Sequence, residues 1–497
     1  MTDAGGSSAV DWRDRLDDLS RRYGVVGAQF GLVRLDASGR PRERVTVAAG
    51  RADAERGVAV GADTLFEIGS ITKMFTAVLV LQLVAEGRLS LDAPIRDVVP
   101  GFALQDRDAA ARVTMRTLLA HTSGIEGDLF VDTGDGDDAI ARYVAALRAA
   151  RRLHPVGERF SYCNAGYVVA GRVVEVLRGT RWSDAVAERI IAPLGLAHTH
   201  ADLRRDPHDD AVRAVGHVAG PDGPRVAPGR IPAALAPAGL IAANAGDLLA
   251  FAEMLLSSDN DTDTDNDTDT DTDTDPAGST ARAGRGILDA ASVAAMHRAQ
   301  VDLHDVHVTA AGWGLGALIE DWGASCAWGH DGATIGQRAY LRVLPEQRTA
   351  MVLLTTGGRA DGLFRALCAE LIGDVAAEVT GEVAAGVAGA GGLAMPPALQ
   401  ATGRLPAVTQ ATYGFADAGV ITTNTPSGAR LTVIDPSPTG GEPERSTIDL
   451  YASTVPGVAA WTTPDLDGWA PFRPVDGGTY LGLRFVPAAR SASTRSR

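Results

Sequence analysis

Apolar positions change their period several times along this 497-residue chain, and each change marks an element. Residues 12–23 carry one apolar stripe and predict an amphipathic helix. Residues 74–84 are apolar nearly all round, the pattern of a helix buried on every side, and Leu65-Phe66-Glu67-Ile68-Gly69 ahead of them read as a strand closing on glycine. Residues 247–256 predict a further helix. Residues 328–336 read as an edge strand beside Ser70. Residues 337–344 and 349–355, joined by Pro345-Glu346-Gln347, read as a hairpin of a central sheet. After them Leu363, Phe364, Leu367, Leu371 and Val375 recur at helical spacing and should pack on that sheet.

Past residue 380 the pattern breaks. Residues 381–397 are rich in Gly and Ala and end on Pro396-Pro397, as a linker does. Residues 398–490 then show short alternating runs at 419–423, 430–434 and 480–486, separated by Gly, Pro, Asp and Asn, which predict a second, small β-barrel domain. Residues 491–497 read as a disordered tail. The expected organisation is therefore a main domain over 1–380, a linker, and a barrel.

Composition adjusts this picture in three places. At 45% hydrophobic content the chain can bury a large core, and its net charge of −16 argues against a nucleic-acid partner. Nine Asp lie between 259 and 275 in near-perfect Asp-Thr alternation; such a tract repels itself, buries nothing apolar, and is expected to be a disordered insert. Its Asp-x-Asp spacing is that of calcium-loop ligands, but no glutamate closes a loop and no central glycine turns it, so no calcium site is read there. Cys163, Cys326 and Cys368 lack the spacing of a disulfide scaffold, and the amino terminus has neither basic residues nor an apolar stretch. With no membrane-spanning segment, the expectation is a cytoplasmic protein in a reducing compartment.

The candidate chemistry lies in three motifs taken in order, Ser70-Ile71-Thr72-Lys73, Tyr162-Cys163-Asn164 and His330-Asp331-Gly332. A serine hydroxyl is a weak nucleophile until a base takes its proton, and a helix starting at Ser70 would place Lys73 one turn on, facing the same side. A lysine serves as base only if its surroundings lower its pKa from about 10.4. Tyr162, held between Ser70 and the lysine, can shuttle the proton to a leaving group, and Asn164 can hold Lys73 and a substrate amide. Each motif alone arises by chance; the ordered trio, with its flanks, points to serine acyl transfer.

With these motifs, and with Gly87-Arg88-Leu89-Ser90-Leu91-Asp92-Ala93-Pro94, Thr117-Leu118-Leu119-Ala120-His121-Thr122-Ser123-Gly124, Pro193-Leu194-Gly195-Leu196 and Pro237-Ala238-Gly239-Leu240, the chain resembles the serine β-lactamase and penicillin-binding-protein superfamily over about residues 10–375. It is similar to the class C-like branch of esterases, D-aminopeptidases and D-stereospecific carboxypeptidases. The resemblance implies an α+β fold of the β-lactamase/transpeptidase type, an antiparallel sheet flanked by helices plus a helical subdomain, with the C-terminal barrel lipocalin-like. It also implies an oxyanion hole from the Ser70 and Ala333 amides, with Gly332 leaving room for substrate backbone. His330 stands where lactamases carry lysine; a histidine is only partly charged near neutral pH, which weakens any anchor for a β-lactam carboxylate and leaves it able to hydrogen-bond Tyr162 or substrate.

The implied function is a serine acyl-enzyme hydrolase acting on an ester or amide, with a small-molecule or peptide acyl substrate and no cofactor. The alternative is a thioesterase or acyltransferase that releases or macrocyclises a nonribosomal peptide from a carrier-protein-bound peptidyl thioester. A catalytically silent ligand-binding protein is a third reading, against which the intact trio argues. No metal site is read from His198, His200, His304 or His307, because no carboxylate or cysteine completes a ligand set. His121 is expected to hold a turn together, Cys163 to be a buried and inert thiol, and the acidic stretch 132–138 to be either a specificity lid or a solvated surface loop.

Overall fold

The computed structural model describes most of residues 11–487. Outside the described set lie residues 1–10, 128, 130, 204–210, 260–285, 305–309, 324, 384–394, 396–400 and 488–497, with short stretches between 406 and 483. The Asp-Thr tract and most of the expected linker fall there.

A nine-stranded antiparallel sheet organises the main part of the chain. Its strands are β1 (Gly27–Leu35), β2 (Pro41–Asp53) and β3 (Val58–Ala59), followed much later by β9 (Val301–Asp302), β10 (Ala310–Trp313), β11 (Leu318–Asp321), β12 (Cys326–Thr334), β13 (Gln337–Leu344) and β14 (Thr349–Thr356). Five short strands intervene: β4 (Phe66–Glu67), β5 (Thr199–His200), β6 (His217–Gly220), β7 (Gly223–Val226) and β8 (Ala242–Ala243). The spatial order is β3-β2-β1-β14-β13-β12-β11-β10-β9, so the strands of this sheet that come first and last in the chain are paired in its interior. Every residue of β1 and β14 is buried, as expected of strands covered on both faces. The predicted hairpin forms as read, with Pro345–Gln347 as a 3₁₀ turn and Arg348 in the left-handed region at φ 45°.

Two helical layers cover the sheet. On one face lie α1 (Trp12–Tyr23) and the helix over Ala360–Val383, burying Trp12, Leu16, Leu19, Leu363, Phe364, Leu367 and Leu371 against Phe30, Tyr340 and Met351. Asp11 caps α1 by accepting from the Arg13 and Asp14 amides, and Gly24 ends it at φ 64°. On the other face lie α2 (Thr72–Ala85), α3 (Asn164–Arg178) and α4 (Ala245–Asp259). Every residue from Thr72 to Leu81, the first ten of α2, is buried, the all-round pattern read in the sequence. Phe75 of α2 stacks on Phe251 of α4 with ring centroids 4.0 Å apart.

Three expectations change. The helix after Gly69 does not start at Ser70: Gly69–Ile71 form a 3₁₀ turn, and the α-helix begins at Thr72. The run 65–69 is strand only at Phe66–Glu67. β12 is an edge only in part, since β11 pairs with it from Cys326 to Gly329, leaving 330–334 paired on the β13 side alone among the described residues. The apolar pattern is identical in both cases; pairing is decided by the length of β11.

Beyond residue 400 the described strands form two open antiparallel sheets, not a closed barrel: six strands from Ala401–Arg404 to Arg484–Pro487, and four from Ala411–Gly414 to Glu444–Asp449. The run 480–486 is two strands, Gly478–Leu481 and Arg484–Pro487, paired with Leu481 opposite Arg484. Alternation continues across both and hides the reversal, and alternation says nothing of closure, which depends on strand stagger. No helix among the described residues is long and apolar enough to cross a membrane.

Candidate active site

Three segments converge where α2 meets β12. The 3₁₀ turn presses on the strand so closely that a Cβ on Gly69 would stand 2.5 Å from the Ala333 nitrogen, and one on Gly332 would stand 1.9 Å from the Ile68 carbonyl oxygen. Only glycine fits at either position. The chain's own turn thus fills the side of Gly332 to which a Cβ would point. The same contact sets the Ala333 amide beside the turn that carries Ser70.

Lys73 is fully buried in the first turn of α2. Its Nζ lies 2.9 Å from Ser70 Oγ and donates to the Ala238 carbonyl at 2.7 Å. The carbonyl belongs to the Pro237-Ala238-Gly239 segment, which α2 grips again through Thr76 Oγ1 donating to the Pro237 carbonyl at 2.8 Å. Lys73 Nζ also stands 4.9 Å from the centre of the Tyr162 ring and 5.6 Å from that of Tyr167. Tyr167 donates to the Leu119 carbonyl, and burial holds its hydroxyl well above the ordinary phenol range, so it remains protonated. Tyr162 lies just ahead of α3, whose N-cap is Cys163: the thiol accepts from the Gly166 amide at 3.3 Å. Asn164 opens α3 and completes the motif.

His330 is buried at 3% exposure, between Trp313 and Tyr162. Its ring meets Trp313 edge-on at 5.2 Å and Tyr162 at 6.1 Å. Nδ1 lies 2.6 Å from the Asp331 carbonyl oxygen, which can only accept, so Nδ1 carries the proton and Nε2 presents a lone pair. Among the described residues Nε2 has no hydrogen-bond partner. Burial first, and then the charge of Lys73, push the imidazole down to about 3, so it stays neutral at physiological pH instead of being partly charged. Behind the strand Asp331 points the other way and accepts from Arg342 at 2.6 Å; Arg342 also donates to Glu320 at 2.8 Å.

The site residues read in the sequence are thus found on adjoining elements: Ser70 and Lys73 on the turn and α2, Tyr162 and Asn164 at the start of α3, and His330, Gly332 and Ala333 on β12. Two contributors went unread, the Ala238 carbonyl and the Trp313 indole, and His121 was read only as holding a turn together. Backbone groups leave no sequence signal, but Trp313 stands between Gly312 and Gly314, and a bulky aromatic between glycines was a usable sign. The acidic stretch is tied across to Arg230, which donates to Asp135 at 3.0 Å.

The Beta-lactamase family model matches residues 12–375. The chain belongs to the beta-lactamase family. It is 38% identical over 373 residues to penicillin-binding protein 4 of Amycolatopsis lactamdurans, a match covering 73% of this chain and 90% of that protein. Among solved structures it is similar to SurE, with 25% identity, a TM-score of 0.69, and coverage of 96% of this chain and 98% of that one; SurE is also known with D-Leu. A D-stereospecific amidohydrolase from Streptomyces sp. aligns at 25% identity and a TM-score of 0.53, covering 71% of this chain and 96% of that one. This beta-lactamase family member is therefore a serine hydrolase of the β-lactamase and penicillin-binding-protein superfamily.

Proposed function

We propose that the protein forms an acyl-enzyme on Ser70 and acts on esters or amides that carry no free carboxylate beside the acyl group. The observation that carries this reading is the 2.9 Å contact between Ser70 Oγ and a wholly buried Lys73 Nζ, with the Tyr162 ring against the same nitrogen. In its neutral form Lys73 takes the Ser70 proton as Oγ bonds to the carbonyl carbon. The Ser70 and Ala333 amides receive the developing oxyanion, and collapse expels the amine or alkoxide. Tyr162 gives that leaving group its proton and recovers one from the Lys73 ammonium. Water then repeats the sequence in reverse and frees the acid. Assignment to the class C-like branch is part of the same proposal.

The names of two structural neighbours, one known with D-Leu and one D-stereospecific, support a D-configured acyl donor. Transfer to an amine is a second reading, because the His330 Nε2 lone pair can accept from an incoming N–H as well as from a departing one. A carrier-bound peptidyl thioester would then be the donor. A cytoplasmic location accords with that reading and is part of the proposal.

The neutral imidazole offers a carboxylate no positive charge. For the parent protein kcat/KM should be higher on a neutral D-amino-acid ester than on a cephalosporin, and His330→Lys should move the ratio toward the cephalosporin by about tenfold or more. Efficient cephalosporin hydrolysis by the parent would contradict this account of His330.

A further inference from the structure

The segment that carries Tyr162 ends, on both sides of the tyrosine, on one residue. The Ser161 amide donates to the His121 carbonyl at 2.8 Å, and the Cys163 amide donates to His121 Nδ1 at 2.9 Å. The His121 ring lies against the Tyr162 ring with centroids 4.3 Å apart, and is itself walled by Trp313 at 4.9 Å, Tyr167 at 5.2 Å and Phe160 at 5.7 Å. His121 is fully buried and adopts φ 57°, a left-handed conformation that only a few residue types, histidine and asparagine among them, take readily. Such a conformation persists where the surroundings fix it, and here the fixed atoms are a main-chain oxygen and a side-chain nitrogen aimed at the two amides that flank one tyrosine.

We propose that His121 is a positioning residue for Tyr162: it brackets the tyrosine backbone at both neighbours and backs its ring, so that the phenol stays beside Lys73. The proposal rests on the reading that Tyr162 transfers a proton, and it goes beyond holding a turn. Two amides fixed on one residue leave the Tyr162 side chain little freedom beyond its own two torsions, and Trp313, edge-on at 5.7 Å, limits those. Small misplacement of a proton-transfer group costs turnover without costing binding.

The test is a pair of variants measured in the parent and in the Tyr162→Phe background, on a neutral ester, with melting curves for each. His121→Gly accepts φ 57° but deletes the acceptor and the ring. It should lower kcat by about 10- to 100-fold with KM changed less than about threefold, and should add no further loss in Tyr162→Phe. His121→Asn keeps the left-handed conformation and can present Oδ1 where Nδ1 stands, so it should retain kcat within about threefold. Equal fractional losses for His121→Gly in both backgrounds, or parent turnover for it in the Tyr162 protein, would overturn the positioning. Parent turnover in Tyr162→Phe alone would instead overturn the proton-transfer reading beneath it. If His121→Gly does not fold, His121→Asn decides: a folded Asn variant with kcat at the Tyr162→Phe level overturns the proposal.

Discussion

At the scale of single residues the site is governed by how burial distributes protons. His330 is held neutral because its ring is enclosed and faces Lys73, while its one available proton is spent on the Asp331 carbonyl. Two consequences follow for acid behaviour. The pH profile of acylation should show no limb near 6.5 that His330→Gln removes, because the group titrates at about 3. Stability, on the other hand, should respond in that range. Between 6.5 and 3 the unfolded chain binds a proton at this position that the folded chain refuses, so stability is fully present above 6.5 and is lost as pH falls toward 3. At pH 5 the loss from this group is about 2 kcal/mol. Urea unfolding at pH 7 and pH 5 should show that difference in the parent and a smaller one in His330→Gln. An equal acid loss in both proteins would mean that His330 does not set it.

At the scale of elements, the fit of turn against strand sets the proposed nucleophile, Ser70, beside the proposed oxyanion amide of Ala333. Gly332→Ala places a Cβ 1.9 Å from the Ile68 oxygen, a backbone atom that cannot turn aside, so the turn and β12 must separate. The variant should lose about 1–3 kcal/mol of stability and most of its turnover, as measured by thermal melting and by kcat on an ester. An unchanged melt with unchanged kcat would show that the contact is not needed. Much of this arrangement was legible beforehand. The apolar run from Met74 announced a central helix, the hairpin of β13 and β14 followed from two apolar runs about Pro345, and Ser70, Lys73, Tyr162 and His330 were named from motif order, flanks and family resemblance together. What stayed hidden was set by partners far away in the chain. That β11 pairs with β12 only from Cys326 to Gly329, among the described residues, depends on β11 beginning at Leu318, opposite Gly329, and that His330 is uncharged depends on an indole and an ammonium from other segments. The reversal between Leu481 and Arg484 was invisible because the alternation runs straight through it.

At the scale of the whole molecule, one sheet brings the two ends of the catalytic part together: β1, near the amino terminus, pairs with β14, more than three hundred residues later, in register from Gly27–Thr356 to Arg34–Thr349. On one face lie Lys73 in α2, Ser70 in the 3₁₀ turn before it and Tyr162 just ahead of α3, with β12 beside them, while Arg342, Glu320 and Asp331 tie the same strand from behind. Among the described residues β12 beyond Gly329 pairs on the β13 side alone, and its His330 feels the charge of the buried Lys73, an arrangement that suits the proposed acyl transfer at one serine. That claim is met most directly by intact-protein mass spectrometry after brief incubation with a fluorophosphonate or a slowly released D-amino-acid ester, followed by peptide mapping. The account predicts one adduct, on the peptide containing Ser70, absent from Ser70→Ala. Labelling of Ser70→Ala equal to that of the parent, or an adduct mapped to any other residue, would contradict it.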